Sequence, residues 1–117
     1  MNKTELRYEL MLRAREAAGE ILWFAFEPLK LHLGERCFFS PDFGVVTADR
    51  TIELHEIKAW WVKQGHAGIE DDARVKLQVA ASRYPMFRFV IAAEERAGGI
   101  TREWHYEEIG VDGARSL

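Results

Sequence analysis

The sequence predicts a mixed α/β domain in which helices flank a central mixed β-sheet, in the order α-β-β-β-α-β. Two segments carry apolar residues at helical spacing, one near the N-terminus and one just before "YP" at residues 84–85. The segments between and after them are rich in branched and aromatic residues, as strands are. No repeat or linker divides the 117 residues, so we expect a single domain over 1–117.

The first helix is predicted over residues 4–18. Thr4 is a candidate N-cap, and Gly19 stands where a helix ends. The stripe expected to face the core consists of aliphatic and small residues at helical spacing: Leu6, Leu10, Ala14 and Ala17, with Met11 beside it and Leu12 off it.

Three strands are predicted to follow. Residues 20–33 read as one long strand, bent at Pro28 because proline cannot donate a ladder hydrogen bond. Residues 37–47 and 51–60 read as two paired strands with "ADR" at the turn between them.

The second helix is predicted from the acids at 71–72 to about Tyr84, and it must end before Pro85. Its core-facing stripe combines small and apolar residues: Ala73, Leu77, Ala80, Ala81 and Tyr84. "FRFVIAA" then reads as a buried strand, and "TREWHYEEI" as a short edge strand beyond the turn "EERAGG".

Composition limits the functional classes. No run of 18 apolar residues exists and the N-terminus lacks the apolar centre of a signal peptide, so no membrane partner is expected. The single cysteine, Cys37, cannot form an internal disulfide, which favours a cytoplasmic location. A formal net charge of −3 argues against a general nucleic-acid coat but not against a metal-dependent nuclease. Motifs of hydrolase triads, nucleotide kinases and zinc modules are absent from the sequence.

Three charged residues stand in strands that otherwise favour burial: Asp42, Glu56 and Lys58. Strand alternation puts Glu56 and Lys58 on one face, roughly 6.5–7 Å apart. A three- or five-residue loop centred on Asp49 pairs positions whose numbers sum to 98, so that Asp42 lies opposite Glu56. An even-numbered loop would turn Asp42 to the other face.

Two facing carboxylates repel, and a divalent cation is their natural partner. Oxygen ligands suit Mg²⁺ or Mn²⁺. In this interpretation Asp42 and Glu56 bind the metal, the main-chain carbonyl of Ile57 is a further ligand, and Lys58 contacts a phosphate oxygen or the attacking water.

The arrangement resembles the PD-(D/E)xK nuclease superfamily, and more narrowly the small phage endonucleases of the Holliday-junction-resolvase kind. The matching parts are "KTELRYEL", "SPDF", "HEIKAWW" and "DDARVKLQVAASRYP", over most of residues 3–90. The resemblance implies a restriction-endonuclease-like fold, a Mg²⁺- or Mn²⁺-dependent endodeoxyribonuclease, branched DNA as a substrate and a phage or prophage origin.

Carried over residue by residue, the resemblance implies metal ligands at Asp42 and Glu56 and a catalytic lysine at Lys58. It implies that Glu5 is the acid of the first helix that completes the catalytic and metal site, with Glu9 as the alternative. Arg74 and Lys76 match the helix residues that meet the DNA backbone. The chain departs from many relatives at Ala59, where glycine is usual, and this residue narrows the approach of DNA.

Other interpretations stay open at this stage. Glu56 and Lys58 also fit a surface ion pair, and Glu5 also fits a solvated helix acid. The chain as a whole also fits a non-catalytic nucleic-acid-binding or assembly protein, or a small oligomerising structural protein. His55, on the face opposite Glu56, reads as structural, and His66 reads as a less favoured proton carrier.

A homodimer is expected, because cutting two strands of DNA calls for two sites and the chain has one constellation. The apolar strand "ILWFAF" and the pair Trp60–Trp61 offer more apolar surface than one small sheet needs. Trp60 and Trp61 also fit stacking on a base.

Overall fold

The computed structural model describes residues 1–58, 61–62, 66–67, 71–97, 100–110 and 113–116, with side chains described for 1–58, 73–95, 100 and 103–110. The described residues form two helices and ten strands, in the order α1 (Lys3–Ala17), β1 (Ile21–Phe26), β2 (Leu31–Gly34), β3 (Cys37–Phe39), β4 (Phe43–Thr47), β5 (Ile52–Lys58), β6 (Trp61–Val62), β7 (His66–Ala67), α2 (Asp71–Arg83), β8 (Arg88–Ala97), β9 (Ile100–Gly110) and β10 (Gly113–Ser116).

The main sheet has six strands in the order β1-β4-β5-β8-β9-β10, and two further sheets are the pairs β2–β3 and β6–β7. β5 and β8 run parallel, whereas the other neighbours in the main sheet are antiparallel. The predicted class, a mixed α/β fold with a central mixed sheet and flanking helices, is confirmed. Neither of the described helices is long and apolar enough to cross a membrane.

Two clusters of apolar side chains cover the faces of the main sheet. On one face α1 packs through a cluster of mixed aromatic and aliphatic residues: Tyr8, Leu12, Ile21, Phe43, Val45, Ile57 and Ala92. On the other face α2 packs with the β2–β3 pair through the larger cluster: Leu31, Leu33, Phe39, Leu54, Leu77, Ala80, Ala81, Phe89, Ile91, Ala93 and Ile109. The predicted stripe of the second helix is therefore confirmed in its centre, at Leu77, Ala80 and Ala81.

The predicted stripe of the first helix is wrong. Leu6 and Leu10 are 50% and 59% exposed, whereas Tyr8 and Leu12 are buried. The hydroxyl of Tyr8 hydrogen-bonds to Nδ1 of the buried His55 at 2.6 Å. This partner, which hydropathy does not reveal, lets a tyrosine enter the core, and it confirms a structural position for His55.

The ends of α1 are fixed by its sequence. Asn2, and not Thr4, is the N-cap, because its side chain accepts from the backbone N–H of Glu5 at 2.8 Å. Gly19 follows the helix with φ +79°, a conformation that favours glycine, so the predicted end is confirmed. A bidentate ion pair from Arg7 to the buried Glu94, at 2.5 and 2.7 Å, then ties α1 to β8.

Three strand predictions need correction. Residues 20–33 are not one strand, because the chain leaves the main sheet after β1, where Glu27 has φ +45° and Pro28 packs across Gly44. Residues 37–47 also divide, into β3 and β4, because "SPD" turns the chain between two sheets. β9 is not an edge strand, since β10 pairs with it and the edges of the main sheet are β1 and β10.

The turn between β4 and β5 is a three-residue loop. The N–H of Arg50 donates to the carbonyl of Thr47, and the N–H of Thr47 donates to the carbonyl of Thr51, each at 2.9 Å. Asp49, at the loop centre, accepts from the hydroxyl of Thr47 and from the N–H of Thr51. Arg50 has φ +69°, the left-handed conformation that such loops require after their first turn.

Arg50→Gly is expected to stabilise the protein by roughly 0.5–1 kcal/mol, because glycine adopts a positive φ without steric cost and this gain exceeds its added unfolded-state entropy. Urea unfolding at equilibrium measures the change, with Arg50→Ala as the control that removes the guanidinium but keeps the Cβ. A gain of the same size in Arg50→Ala would assign the effect to charge and not to the backbone.

Candidate active site

The candidate site lies where β4 ends beside β5. The pairs Phe43–His55, Gly44–Leu54, Val45–Glu53 and Val46–Ile52 all have numbers that sum to 98. The predicted register and the loop centred on Asp49 are thus confirmed. The next pair in this register is Asp42 and Glu56, one residue beyond the end of β4.

Just beyond the end of β4, the side chain of Asp42 takes the place of a main-chain hydrogen-bond partner for β5. Its Oδ2 accepts from the main-chain N–H of Ile57 at 2.8 Å, a group that a longer β4 would have paired. Its own carbonyl accepts from the N–H of Glu27 at 2.8 Å. Because Pro41 turns the chain away, the Asp42 carboxylate is held against the open edge of β5.

The carboxyl of Glu56 is mostly buried, with 19% of its side chain exposed. Burial, contact with Asp42 and the nearby charge of Glu5 together raise the pKa of Glu56 to about 8, although Lys58 opposes the change. Burial also raises the pKa of Asp42, while the N–H of Ile57 lowers it. At neutral pH the metal-free pair therefore retains a proton.

One oxygen of Glu56 points to a missing partner. Among the described residues, Oε1 of Glu56 is the buried side-chain oxygen with no hydrogen-bond partner. Two ionised carboxylates cannot hydrogen-bond to each other, so the pair needs either a shared proton or a cation. This buried oxygen beside a second carboxylate fits a hard divalent cation.

Lys58 lies on the same face of β5 as Glu56, one pleat further along. Its Nζ is 4.0 Å from Oε2 of Glu56, and 29% of its side chain is exposed. At this distance the lysine neutralises part of the acidic pair without forming a close hydrogen bond. The ammonium thus stays available to a group that arrives from solvent.

The remaining predicted metal ligands are the main-chain carbonyl of Ile57 and the carboxylate of Glu5. Ile57 presents its N–H to Asp42 and, because both main-chain groups of a strand residue point to one edge, its carbonyl faces the same opening. Glu5 is in a capping box, where its Oε1 accepts from the N–H of Asn2 at 2.8 Å. Its charge raises the pKa of both Asp42 and Glu56.

Glu5, Asp42 and Glu56 do not converge as tightly as a preformed three-carboxylate cage. In the part of the chain with described side chains, the one group of three candidate ligands within 4.8 Å of one another is Glu95, Glu103 and His105. Glu9, the alternative to Glu5, forms an ion pair with Arg13 at 3.0 Å. Of the predicted metal ligands, Asp42 and Glu56 are therefore the two that the structure brings together.

The two predicted DNA contacts differ in their surroundings. Arg74 pairs with the buried carboxylate of Glu107 at 3.1 Å, and Glu107 lies across β8 from Glu56 in the row Glu56–Ile91–Glu107. Lys76 is exposed on α2. The side chains of Trp60, Trp61 and His66, for which roles were also predicted, lie outside the described residues, as does Ala59.

Sequence reasoning missed two features of this face. Glu107 forms an ion pair with Arg74. The side chains of Glu95, Glu103 and His105 lie close together across β8 and β9. The signal that could have found the second group is the alternation of acids and histidine on two paired strands. Comparisons with protein-family models, curated proteins and solved structures found no match.

Proposed function

We propose that this protein is a metal-dependent endonuclease that hydrolyses phosphodiester bonds in DNA. The observation that carries the proposal is the confirmed β4–β5 register, which sets Asp42 beside Glu56, whose buried Oε1 has no hydrogen-bond partner and whose Oε2 is 4.0 Å from Lys58. DNA as the substrate, a preference for branched DNA and a phage or prophage origin rest on the resemblance to PD-(D/E)xK nucleases.

In this proposal Asp42, Glu56 and the carbonyl of Ile57 hold Mg²⁺ or Mn²⁺, and Glu5 completes the site through its charge. The ion supplies a Lewis acid for the phosphate and lowers the pKa of the attacking water. Lys58, with its head group near the acidic pair, stabilises charge that develops on the phosphate. Arg74 and Lys76 guide the DNA backbone, with Lys76 the more accessible of the two.

The deciding experiment is cleavage of linear, nicked and four-way DNA by the purified chain with Mg²⁺, Mn²⁺ or EDTA. Metal-dependent products from any of the three substrates support the proposal. Double replacement with Asp42→Asn and Glu56→Gln is the control that detects a contaminating nuclease. Metal binding by calorimetry without cleavage of any substrate would reject catalysis.

A non-catalytic nucleic-acid-binding or assembly protein is the second candidate. Two residues that the resemblance assigns to catalysis and DNA contact already have structural partners, since Glu5 caps α1 and Arg74 pairs with Glu107. In that case DNA binding is retained without metal, and cleavage is absent. Fluorescence anisotropy with labelled four-way DNA in EDTA measures the binding separately.

We also propose a homodimer. Leu6 and Leu10 form an exposed apolar stripe on α1, and Leu22 and Trp23 are about half exposed on the edge strand β1. Exposed apolar groups of this kind are common at protein interfaces.

Light scattering at micromolar protein is expected to give twice the mass of the 13.5 kDa chain. Leu10→Glu is expected to shift the equilibrium toward monomer by placing a charge on the stripe, whereas Val75→Glu, at a similarly exposed position on α2, is the matched control. A wild-type protein that stays monomeric at high concentration would contradict the dimer and weaken the junction-cleaving assignment.

A further inference from the structure

We propose that Glu95, Glu103 and His105 form a separate binding site for a divalent transition-metal ion of the zinc type. The three residues lie on one face of the β8–β9 pair, where Glu95 is directly opposite Glu103 and His105 is one pleat along. Their candidate ligand atoms, one from each residue, lie within 4.8 Å of one another. This inference is independent of the proposed nuclease activity.

The spacing of the ligand atoms suits a tetrahedral ion. Nε2 of His105 is 3.3 Å from Oε1 of Glu95 and 3.3 Å from Oε1 of Glu103. A zinc ion with bonds of about 2.0–2.1 Å has neighbouring ligands about 3.3–3.4 Å apart, the edge of its coordination tetrahedron. The contact with Glu95 is also a hydrogen bond, although a long one, since an N–H···O bond is usually about 2.9–3.0 Å. The imidazole nitrogen thus stands at ligand distance from both carboxylates.

The charges also favour a cation. Glu95 and Glu103 face each other directly on paired strands, an arrangement that is unfavourable for like charges. One nitrogen and two oxygen ligands suit zinc or cobalt better than magnesium, which takes oxygen. Three protein ligands leave a fourth position for water.

The site is close to the candidate active site but distinct from it. Glu56 pairs with Ile91 on β8, and Glu95 lies four residues further along that strand, or about 13 Å away. Paired catalytic metals are about 3.5–4 Å apart. The ion would therefore join β8 to β9 and stabilise this pair, and it would not be a second catalytic metal.

Isothermal titration with Zn²⁺ and absorbance of Co²⁺ test the site in the full chain carrying Asp42→Asn and Glu56→Gln, which removes the proposed magnesium ligands. We expect one ion per chain, Co²⁺ bands typical of tetrahedral coordination and a higher melting temperature with Zn²⁺. His105→Ala and Glu103→Gln, each added to that background, are expected to lower the affinity at least tenfold. Glu103 is 60% exposed, so its amide variant tests the ligand without disturbing the core.

His32→Ala is the matched histidine control, since His32 lies on β2 and packs on Phe38. It is expected to bind Zn²⁺ as the background protein does. Absence of Zn²⁺ binding at micromolar protein would overturn the proposal. So would an affinity that survives both His105→Ala and Glu103→Gln, or one that falls equally in His32→Ala.

Discussion

Lys58→Ala is expected to reduce DNA cleavage by about 10²-fold or more, the scale of losing one preorganised group that stabilises developing charge. Nζ of Lys58 is 4.0 Å from Oε2 of Glu56 and forms no short bond to it, so its positive charge is available to a phosphate that enters the site. Lys58 lies outside both apolar clusters of the core, so its truncation leaves the core packing unchanged. The fold is therefore expected to survive, as circular dichroism and a thermal melt will show.

The loss is expected in the rate of the chemical step and not in binding. Single-turnover cleavage at saturating enzyme separates the two, alongside DNA affinity measured in EDTA. Lys30→Ala is the matched control, because Lys30 is an exposed lysine over the ring of Phe38, before β2, and its removal changes the net charge equally. Equal losses in the two variants would reduce Lys58 to a general electrostatic contribution and contradict its catalytic role.

The part of the site that the sequence predicted correctly rests on strict geometric rules. Strand alternation has a period of two, and an odd-numbered hairpin loop centred on Asp49 admits one register, so the pairing of Asp42 with Glu56 could be predicted from the sequence. The observed three-residue loop around Asp49 obeys both rules. Neither rule depends on distant parts of the chain.

The errors arose where distant residues decide the outcome. Leu6 and Leu10 have the hydropathy of core residues, yet the helix turns Tyr8 and Leu12 inward because Tyr8 finds His55, 47 residues away. The long strand predicted at 20–33 divides where Pro28 packs over Gly44. Such contacts leave no local periodic signal.

The acidic and histidine group on β8 and β9 was unpredictable for a similar reason. Its convergence depends on a register that shifts between Glu95 and Arg96, so the sequence spacing of 95, 103 and 105 does not translate into distance. The metal-ligand spacings known from helices and short loops do not apply to two long paired strands. The register had to be observed.

The free energy of unfolding of the metal-free protein is expected to fall as pH rises from about 4.5 to about 8. The pKa of Glu56 is about 8 in the folded protein against 4.5 for an ordinary glutamate, so the folded state holds this proton more tightly. That contribution is fully present below about pH 4.5 and is lost as pH passes through 8. The separation corresponds to at most about 5 kcal/mol, reduced where water reaches the pair.

Glu56→Gln is expected to remove most of this pH dependence, because its amide cannot ionise. In urea titrations with EDTA, the variant is expected to equal or exceed wild type in stability at pH 8.5. Glu9→Gln is the control, because Glu9 is a carboxylate of similar exposure, 18%, that is paired with Arg13 on α1. A wild-type stability that does not change between pH 5 and 8.5 would contradict the shared proton.

Asp42→Asn gives the sharper distinction between a metal site and a structural ion pair. The asparagine oxygen can still accept from the N–H of Ile57, and its amide can donate to Glu56, so the variant keeps the shape and removes the repulsion. If both carboxylates were ionised, two unit charges about 4–5 Å apart at an effective dielectric near 20 would repel by roughly 3–4 kcal/mol, so the wild-type pair avoids this cost at neutral pH only by holding a proton, which Asp42→Asn does not require. In EDTA the variant is therefore expected to melt at the wild-type temperature or higher.

With Mn²⁺, wild type is expected to melt at a higher temperature than Asp42→Asn if Asp42 and Glu56 bind a metal. An ion that binds only the folded state raises the melting temperature of wild type. The melting temperature of the variant, which lacks one carboxylate, is expected to rise much less. A structural pair predicts the opposite, because replacing one partner of an internal salt bridge destabilises the protein and metal then affects neither form. Thermal melts of both proteins at pH 7.5, with EDTA and with Mn²⁺, therefore separate the two cases, and a destabilised Asp42→Asn with no response to Mn²⁺ in either protein would exclude the metal site.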